Sequence, residues 1–251
     1  YIFGLLFQKR ILENTELIQI NNTDEQEDLK RFLGYEHPNV KIIPNGMNLL
    51  DFAVLPEKNT FRNQFQIAKN KQLILFMSRI NLKKGLDLLL PAFKQIVSQR
   101  NDCLLILAGP DDGYLSVTQN FIKENNLSDK IILVGMLTGK DKLAALADAD
   151  IFVLPSHSEG FSIATLEALI SGVPSLLSDR VGFGEAIKET NAAHLVELNE
   201  SSIINGLNKM LDDKDYCQTL SKNGISLVKN RFDIELVAKQ LFNEFEKIIK
   251  K

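Results

Sequence analysis

The chain has 251 residues, 45% of them hydrophobic, which is enough for a buried core in one large domain or in a domain plus a piece of another. Its 29 lysines and arginines against 32 aspartates and glutamates leave a net charge of −3, so no overall basic excess points to a nucleic-acid partner. Cys103 and Cys217 lie far apart without metal-ligand neighbours, as expected of reduced thiols in a cytoplasmic protein, and no apolar run approaches the roughly 18 residues of a spanning helix.

In chain order, the opening Tyr1 to Phe7 carries its charges, Lys9 and Arg10, after the apolar part, the reverse of a signal peptide. Ile2, Phe3, Leu5, Leu6 and Phe7 are candidates for an exposed apolar patch. From Leu73 the pattern predicts strands over 73–77, 103–108, 131–134, 151–154 and 175–177. Helices over 86–97, 116–124, 141–147 and 162–170 alternate with them. Near-continuous apolar strands separated by amphipathic helices imply an α/β fold, a doubly wound parallel sheet covered on both faces. After Val196 the chain reads as helical over 201–211, 216–228 and 233–249, each helix opening near a Ser or Asp cap.

The most informative stretch runs from His157 to Leu169, where Glu159 and Glu167, eight positions apart, bracket a Gly160-Phe161-Ser162 turn that opens a helix. A helix beginning at the carboxyl edge of a parallel sheet presents backbone N–H groups and a positive dipole end to an anion. Gly160, Phe161, Ser162 and Ile163 are the candidate N–H donors, and Gly160 lets the chain approach a ligand closely. With the helix beginning near Phe161, Glu167 is expected roughly two turns in, within reach of a ribose. Acids favoured by the helix dipole account tolerably for Glu159 but poorly for Glu167. Arg79 and Lys84 flank the end of the first main strand and the start of its helix. They can converge on a diphosphate, though taken alone they also read as solvated cations. Gly135-Met136-Leu137 and Gly109-Pro110-Asp111 end other strands at the same edge and could frame a nucleobase.

Other signals are weaker. Gly182-Phe183-Gly184-Glu185 lacks the third glycine of a dinucleotide fingerprint and reads as a turn. His37, His157 and His194 are dispersed and no metal-ligand spacing occurs; His157 reads first as a surface residue. No Walker-type phosphate loop is present.

Four segments in order carry a resemblance: Ile42-Ile43-Pro44-Asn45-Gly46, Arg79 to Lys84-Gly85, Leu105-Ile106-Leu107-Ala108-Gly109-Pro110, and Glu159 to Glu167. Over residues 10–250 the chain resembles the retaining glycosyltransferases of family 4, glycosyl transferases group 1, which adopt the GT-B fold. The resemblance implies that this is the C-terminal, Rossmann-like donor-binding domain over 39–230, followed by a terminal helix over 231–251 that crosses back toward the N-terminal domain. Residues 1–38 would be the last helix, strand and helix of an otherwise missing acceptor domain. It further implies that Glu159, Arg79 and Lys84 serve catalysis, Glu159 near the donor sugar and the two cations on the departing diphosphate. Gly160, Phe161, Ser162, Ile163, Glu167, Met136 and Leu137 would bind the donor. Ser162 stands where many relatives have Gly, which changes the room or the hydroxyl contacts beside the sugar. The implied partners are a nucleoside diphosphate sugar and a saccharide or lipid-linked acceptor, with no cofactor and no metal. The implied place is the cytoplasm, with peripheral contact at the inner membrane face through the missing domain. A donor-binding fragment that cannot transfer, and a sugar-nucleotide epimerase of the same fold, are the alternatives.

Overall fold

The computed structural model describes residues 7–250, so the expected apolar patch, apart from Phe7, lies outside the described residues. Phe7 itself is exposed. The chain divides into two compact units, one of Tyr1–Asn48 with Asn230–Lys251 and one of Leu49–Lys229.

In the smaller unit, α1 (Lys9–Glu13), β1 (Ile18–Ile20), α2 (Thr23–Leu33) and β2 (Val40–Ile42) are followed at the other end of the chain by α11 (Ile234–Ile249). The two strands pair in parallel, Ile18 opposite Val40. Asn22 caps α2 by accepting a hydrogen bond from the Glu25 N–H, and Glu25 Oε2 accepts one from the Asn21 N–H, a reciprocal clasp at the helix start. Met47 and Asp233 form an isolated parallel bridge, which anchors the start of α11 to the chain just after Gly46.

The larger unit contains α3 (Thr60–Gln64), β3 (Gln72–Met77), α4 (Leu86–Gln99), β4 (Cys103–Ala108), α5 (Leu115–Glu124), β5 (Ile131–Gly135) and α6 (Gly139–Asp148). It continues through β6 (Ile151–Leu154), α7 (Ile163–Ile170), β7 (Ser175–Ser178), α8 (Gly184–Thr190), β8 (His194–Val196), α9 (Glu200–Asp212) and α10 (Lys214–Arg231). Its six strands are all parallel, in the order β5-β4-β3-β6-β7-β8. β4 and β6 are buried at every position, as their unbroken apolar sequences require of strands covered on both faces. Phe76, Phe93 and Phe152 are among the largest fully buried side chains.

Two differences from the sequence-based expectation follow from short elements. Gly182 and Phe183 form the expected turn but Gly184 and Glu185 already open α8, and a sixth strand, β8, not expected from the sequence, ends at Val196 before the helices begin. Seven residues of helix and three of strand are too few to set a period.

Strand order reverses between β3 and β6, so the connections leaving their carboxyl ends diverge to opposite sides of the sheet. The crevice at such a reversal is where open α/β sheets bind ligands. The β3–α4 connection carries Arg79 and Lys84; the β6–α7 connection carries Glu159.

Candidate functional site at the carboxyl edge of the sheet

Leaving β3, the chain donates from the Ile80 N–H to the Pro110 carbonyl, then makes a short 3-10 turn over Leu82–Lys84 that Asn81 caps by accepting from the Lys83 N–H at 2.9 Å. Gly85 follows at φ 77°, and a Cβ there would overlap the Pro155 carbonyl at the end of β6. Only glycine fits, so the two loops touch through backbone. The His157 N–H donates to the Lys83 carbonyl at 2.9 Å, and His157 Nε2 lies 2.9 Å from both carboxylate oxygens of Asp87 in the first turn of α4. A proton on Nε2 makes this a donated bond, so the surface histidine of the sequence reading is a strut between the loops. Nearby, burial pushes the Tyr114 phenol above its ordinary value, with Asp87 adding to the effect.

This stitching brings Lys84 Nζ to 2.6 Å from Glu159 Oε2, with both side chains only 11% exposed. Ser156 Oγ donates to the same oxygen at 3.3 Å. The Glu159 backbone is held on the other side, its N–H donating to the Arg180 carbonyl and its carbonyl accepting from the Gly182 N–H at 2.7 Å. The Gly182 loop thus braces the glutamate. An ammonium has three donors and the pair with Glu159 uses one, so Lys84 can hold the carboxylate and still meet an anion.

Beyond Glu159 come Gly160 and Phe161, whose ring packs edge-on to Phe183 at 5.7 Å. Ser162 is the N-cap of α7: its hydroxyl accepts from the Thr165 N–H at 3.2 Å and lies 2.9 Å from Thr165 Oγ1. The helix starts at Ile163, not near Phe161, because Ser162 is extended and capping. Glu167 therefore stands about one turn inside, not two. It is 9% exposed, and Lys142 Nζ from α6 lies 2.5 Å from its Oε1. Lys142 also sits 5.7 Å from the centre of the Phe52 ring.

Arg79 is 62% exposed and donates from Nη1 to Asp112 Oδ2 at 2.7 Å, while Asn81 Nδ2 holds the Asp112 carbonyl at 2.7 Å. Met136 and Leu137 follow β5 at the outer end of the sheet, and Met136 is exposed. Of the predicted residues, the structure joins Lys84 to Glu159 directly. It sets Gly160, Phe161, Ser162, Ile163 and Glu167 along the start of α7, turns Arg79 toward Asp112, and leaves Met136 and Leu137 two strands away from β3. Sequence reasoning missed Lys142, Asp112 and the His157–Asp87 strut. The available signal for Lys142 was its place near the start of the helix after a strand that ends at the same edge. Among the described residues no three His, Cys, Asp or Glu side chains gather so as to hold a metal ion.

What the arrangement offers is an edge with a capped helix start and three cations, Arg79, Lys84 and Lys142, each paired with a carboxylate, two of the pairs largely buried and the Arg79 pair open to solvent. The family glycosyl transferases group 1 matches residues 57–227. An uncharacterized glycosyltransferase of Methanocaldococcus jannaschii is 28% identical over 240 residues, covering 93% of this chain and 60% of that protein. The UDP-Gal:α-D-GlcNAc-diphosphoundecaprenol α-1,3-galactosyltransferase of Escherichia coli is 28% identical over 225 residues, covering 88% of this chain and 57% of that protein. The chain thus spans about 60% of the length of these curated relatives. Among solved structures, Anabaena HepE in complex with UDP and glucose superposes with a TM-score of 0.87 at 20% identity, over 98% of this chain and 68% of that one. The fold is that of GT-B glycosyltransferase structures, and the chain belongs to the family glycosyl transferases group 1.

Proposed function

We propose that this chain is the donor-binding part of a retaining hexosyltransferase. It would take a hexose from a nucleoside diphosphate sugar for a hydroxyl acceptor, saccharide or lipid-linked, in polysaccharide, lipopolysaccharide or glycolipid assembly. The observation that carries the reading is the Lys84–Glu159 pair, buried at the strand-order reversal beside the start of α7. In support, one relative is by name a galactosyltransferase using UDP-Gal, and one structural neighbour was solved with UDP and glucose.

In this reading the acceptor oxygen bonds to the anomeric carbon while the bond to the diphosphate oxygen breaks; the leaving group takes the electron pair and, as the acceptor O–H breaks, the hydroxyl proton. Charge grows on that oxygen. Lys84, Arg79 swung from Asp112, and the first N–H groups of α7 neutralise it without reorganising solvent. Glu159 accepts hydrogen bonds from the sugar and Glu167 from the ribose hydroxyls. Met136 and Leu137 lie toward the base. A metal is not needed for this charge balance, so a chelator is expected to leave donor binding unchanged.

Calorimetric titration with UDP, GDP and ADP sugars tests the reading. Saturable binding to one base, weakened by Glu167→Ala and by Arg79→Ala, is expected; no binding to any by a folded sample would overturn it. Transfer is tested on the protein with its acceptor domain, where Lys84→Ala should lower kcat by roughly a hundredfold, as for loss of one preorganised donor. Release of an epimer without acceptor product would replace transfer with epimerisation.

A further inference from the structure

We infer that Lys142 is a positioning residue for recognition of the ribose, acting through Glu167; this rests on the donor-site reading above. Three observations lead there. Glu167 is 9% exposed and lies inside a helix, Ile163–Ile170, that holds no lysine, arginine or histidine, so nothing on α7 itself offers it a positive partner. The partner comes from a different element: Lys142 near the start of α6 reaches across 25 positions of sequence to place Nζ 2.5 Å from Oε1. The lysine is itself confined, its side chain 26% exposed and its ammonium 5.7 Å from the Phe52 ring centre.

A lysine whose ammonium is set between Glu167 and the Phe52 ring fixes which carboxylate oxygen it engages. With Oε1 on Lys142, the carboxylate plane is set and Oε2, with the unused lone pair of Oε1, remains to accept from two vicinal hydroxyls. Without the ammonium, Glu167 would be a partly desolvated carboxylate free to change rotamer, and a misplacement of about an ångström costs much of an oriented hydrogen bond. Lys142 touches no donor atom in this scheme. Its contribution is to the orientation of Glu167, so it should be felt only by ligands that carry the hydroxyls Glu167 reads.

The test compares ribo- with deoxyribonucleotides. UDP, GDP and ADP, and their 2′-deoxy and 3′-deoxy forms, are titrated into the unaltered chain and into Lys142→Met, Lys142→Arg and Glu167→Gln, with thermal melts to establish folding. The unaltered chain should prefer the ribonucleotide by roughly tenfold, the worth of one hydrogen bond to a charged group. Lys142→Met should erase most of that preference while leaving deoxynucleotide affinity within about twofold. Glu167→Gln should erase it too, and Lys142→Arg should restore part of it. Equal weakening of ribo and deoxy forms by Lys142→Met would mean a general electrostatic or structural role and would overturn the proposal. So would a preference untouched by Lys142→Met, while its loss in Glu167→Gln left the donor-site reading standing. A chain that binds none of the nucleotides, or a preference that survives Glu167→Gln, removes the reading itself and the proposal with it.

Discussion

A lysine and a glutamate each 11% exposed have given up most of their hydration, and at 2.6 Å their attraction only offsets that cost. Such a pair is poor evidence of stability and better evidence of a site. Removing one member should be far worse than removing both. Lys84→Ala is expected to destabilise the larger unit by about 3 kcal/mol, because Glu159 is left buried with Ser156 alone, whereas Lys84→Met with Glu159→Gln should recover more than half of that. Urea titrations of the two single variants and the double variant decide it; additive losses would contradict the coupling. Spacing drew attention to Glu159 and Glu167, while Lys84 stood out from a solvated cation only through the resemblance to a known family. Their partners were less legible. A lysine on an amphipathic helix looks the same whether it faces water or, like Lys142, a carboxylate on another helix. Ser162, read as a possible sugar contact, spends its acceptor capacity on the cap of α7.

At the scale of elements, the β3–α4 and β6–α7 connections act as one body because Gly85 lies against Pro155 and His157 against Lys83 and Asp87. Gly85→Ala adds a Cβ where the backbone leaves no room, at a φ of 77° that alanine disfavours, so one loop must shift. We expect a lower melting temperature and donor affinity weakened by at least about tenfold, since a displacement of that size breaks charged hydrogen bonds. An unaltered affinity would show that the loops are independent. Elsewhere, β8 is tied to α10 by His194 Nδ1 at 2.7 Å from the Tyr216 hydroxyl. Burial holds His194 below its ordinary 6.5, with Lys209 adding, and burial pushes the Cys217 thiol from 9.0 up to about 11, with Asp213 and Asp150 adding. Both shifts favour the neutral form in the folded state. The histidine's contribution is therefore full above 6.5 and lost as pH falls through its lowered value, and the cysteine's is full below 9.0 and lost as pH rises toward 11. Urea midpoints measured against pH should show this plateau, with Cys217→Ala flattening the alkaline limb and His194→Gln the acid one. Strands such as Cys103–Ala108 and Ile151–Leu154 were readable to the residue because burial on both faces leaves an unbroken apolar run, here bounded by an aspartate before it and by Gly109 or Pro155 after it. β8, three residues long, leaves no such run, and α8 begins directly out of the glycine-rich turn at Gly182 and Phe183.

For the molecule as a whole, the sheet order is the feature that makes the site possible. Strand alternation in the sequence implied a parallel sheet, but not which strands would be neighbours; the reversal arises because the chain leaves β5 at one edge and places β6 on the other side of β3, a long-range choice that no local pattern encodes. The net charge of −3 is no guide to where Arg79, Lys84 and Lys142 and their carboxylate partners stand either. If the edge is a diphosphate site, affinity for a nucleoside diphosphate should fall as salt rises from about 50 to 500 mM, through screening of Arg79, while the buried Lys84 keeps a residual attraction. Salt-independent binding would place the ligand elsewhere. The most direct measurement is a crystal structure of the chain soaked with a nucleoside diphosphate sugar. The account predicts the diphosphate between Arg79, Lys84 and the first N–H groups of α7, with the ribose hydroxyls on Glu167. Density for the nucleotide at another surface, or a ribose turned away from Glu167, would contradict it.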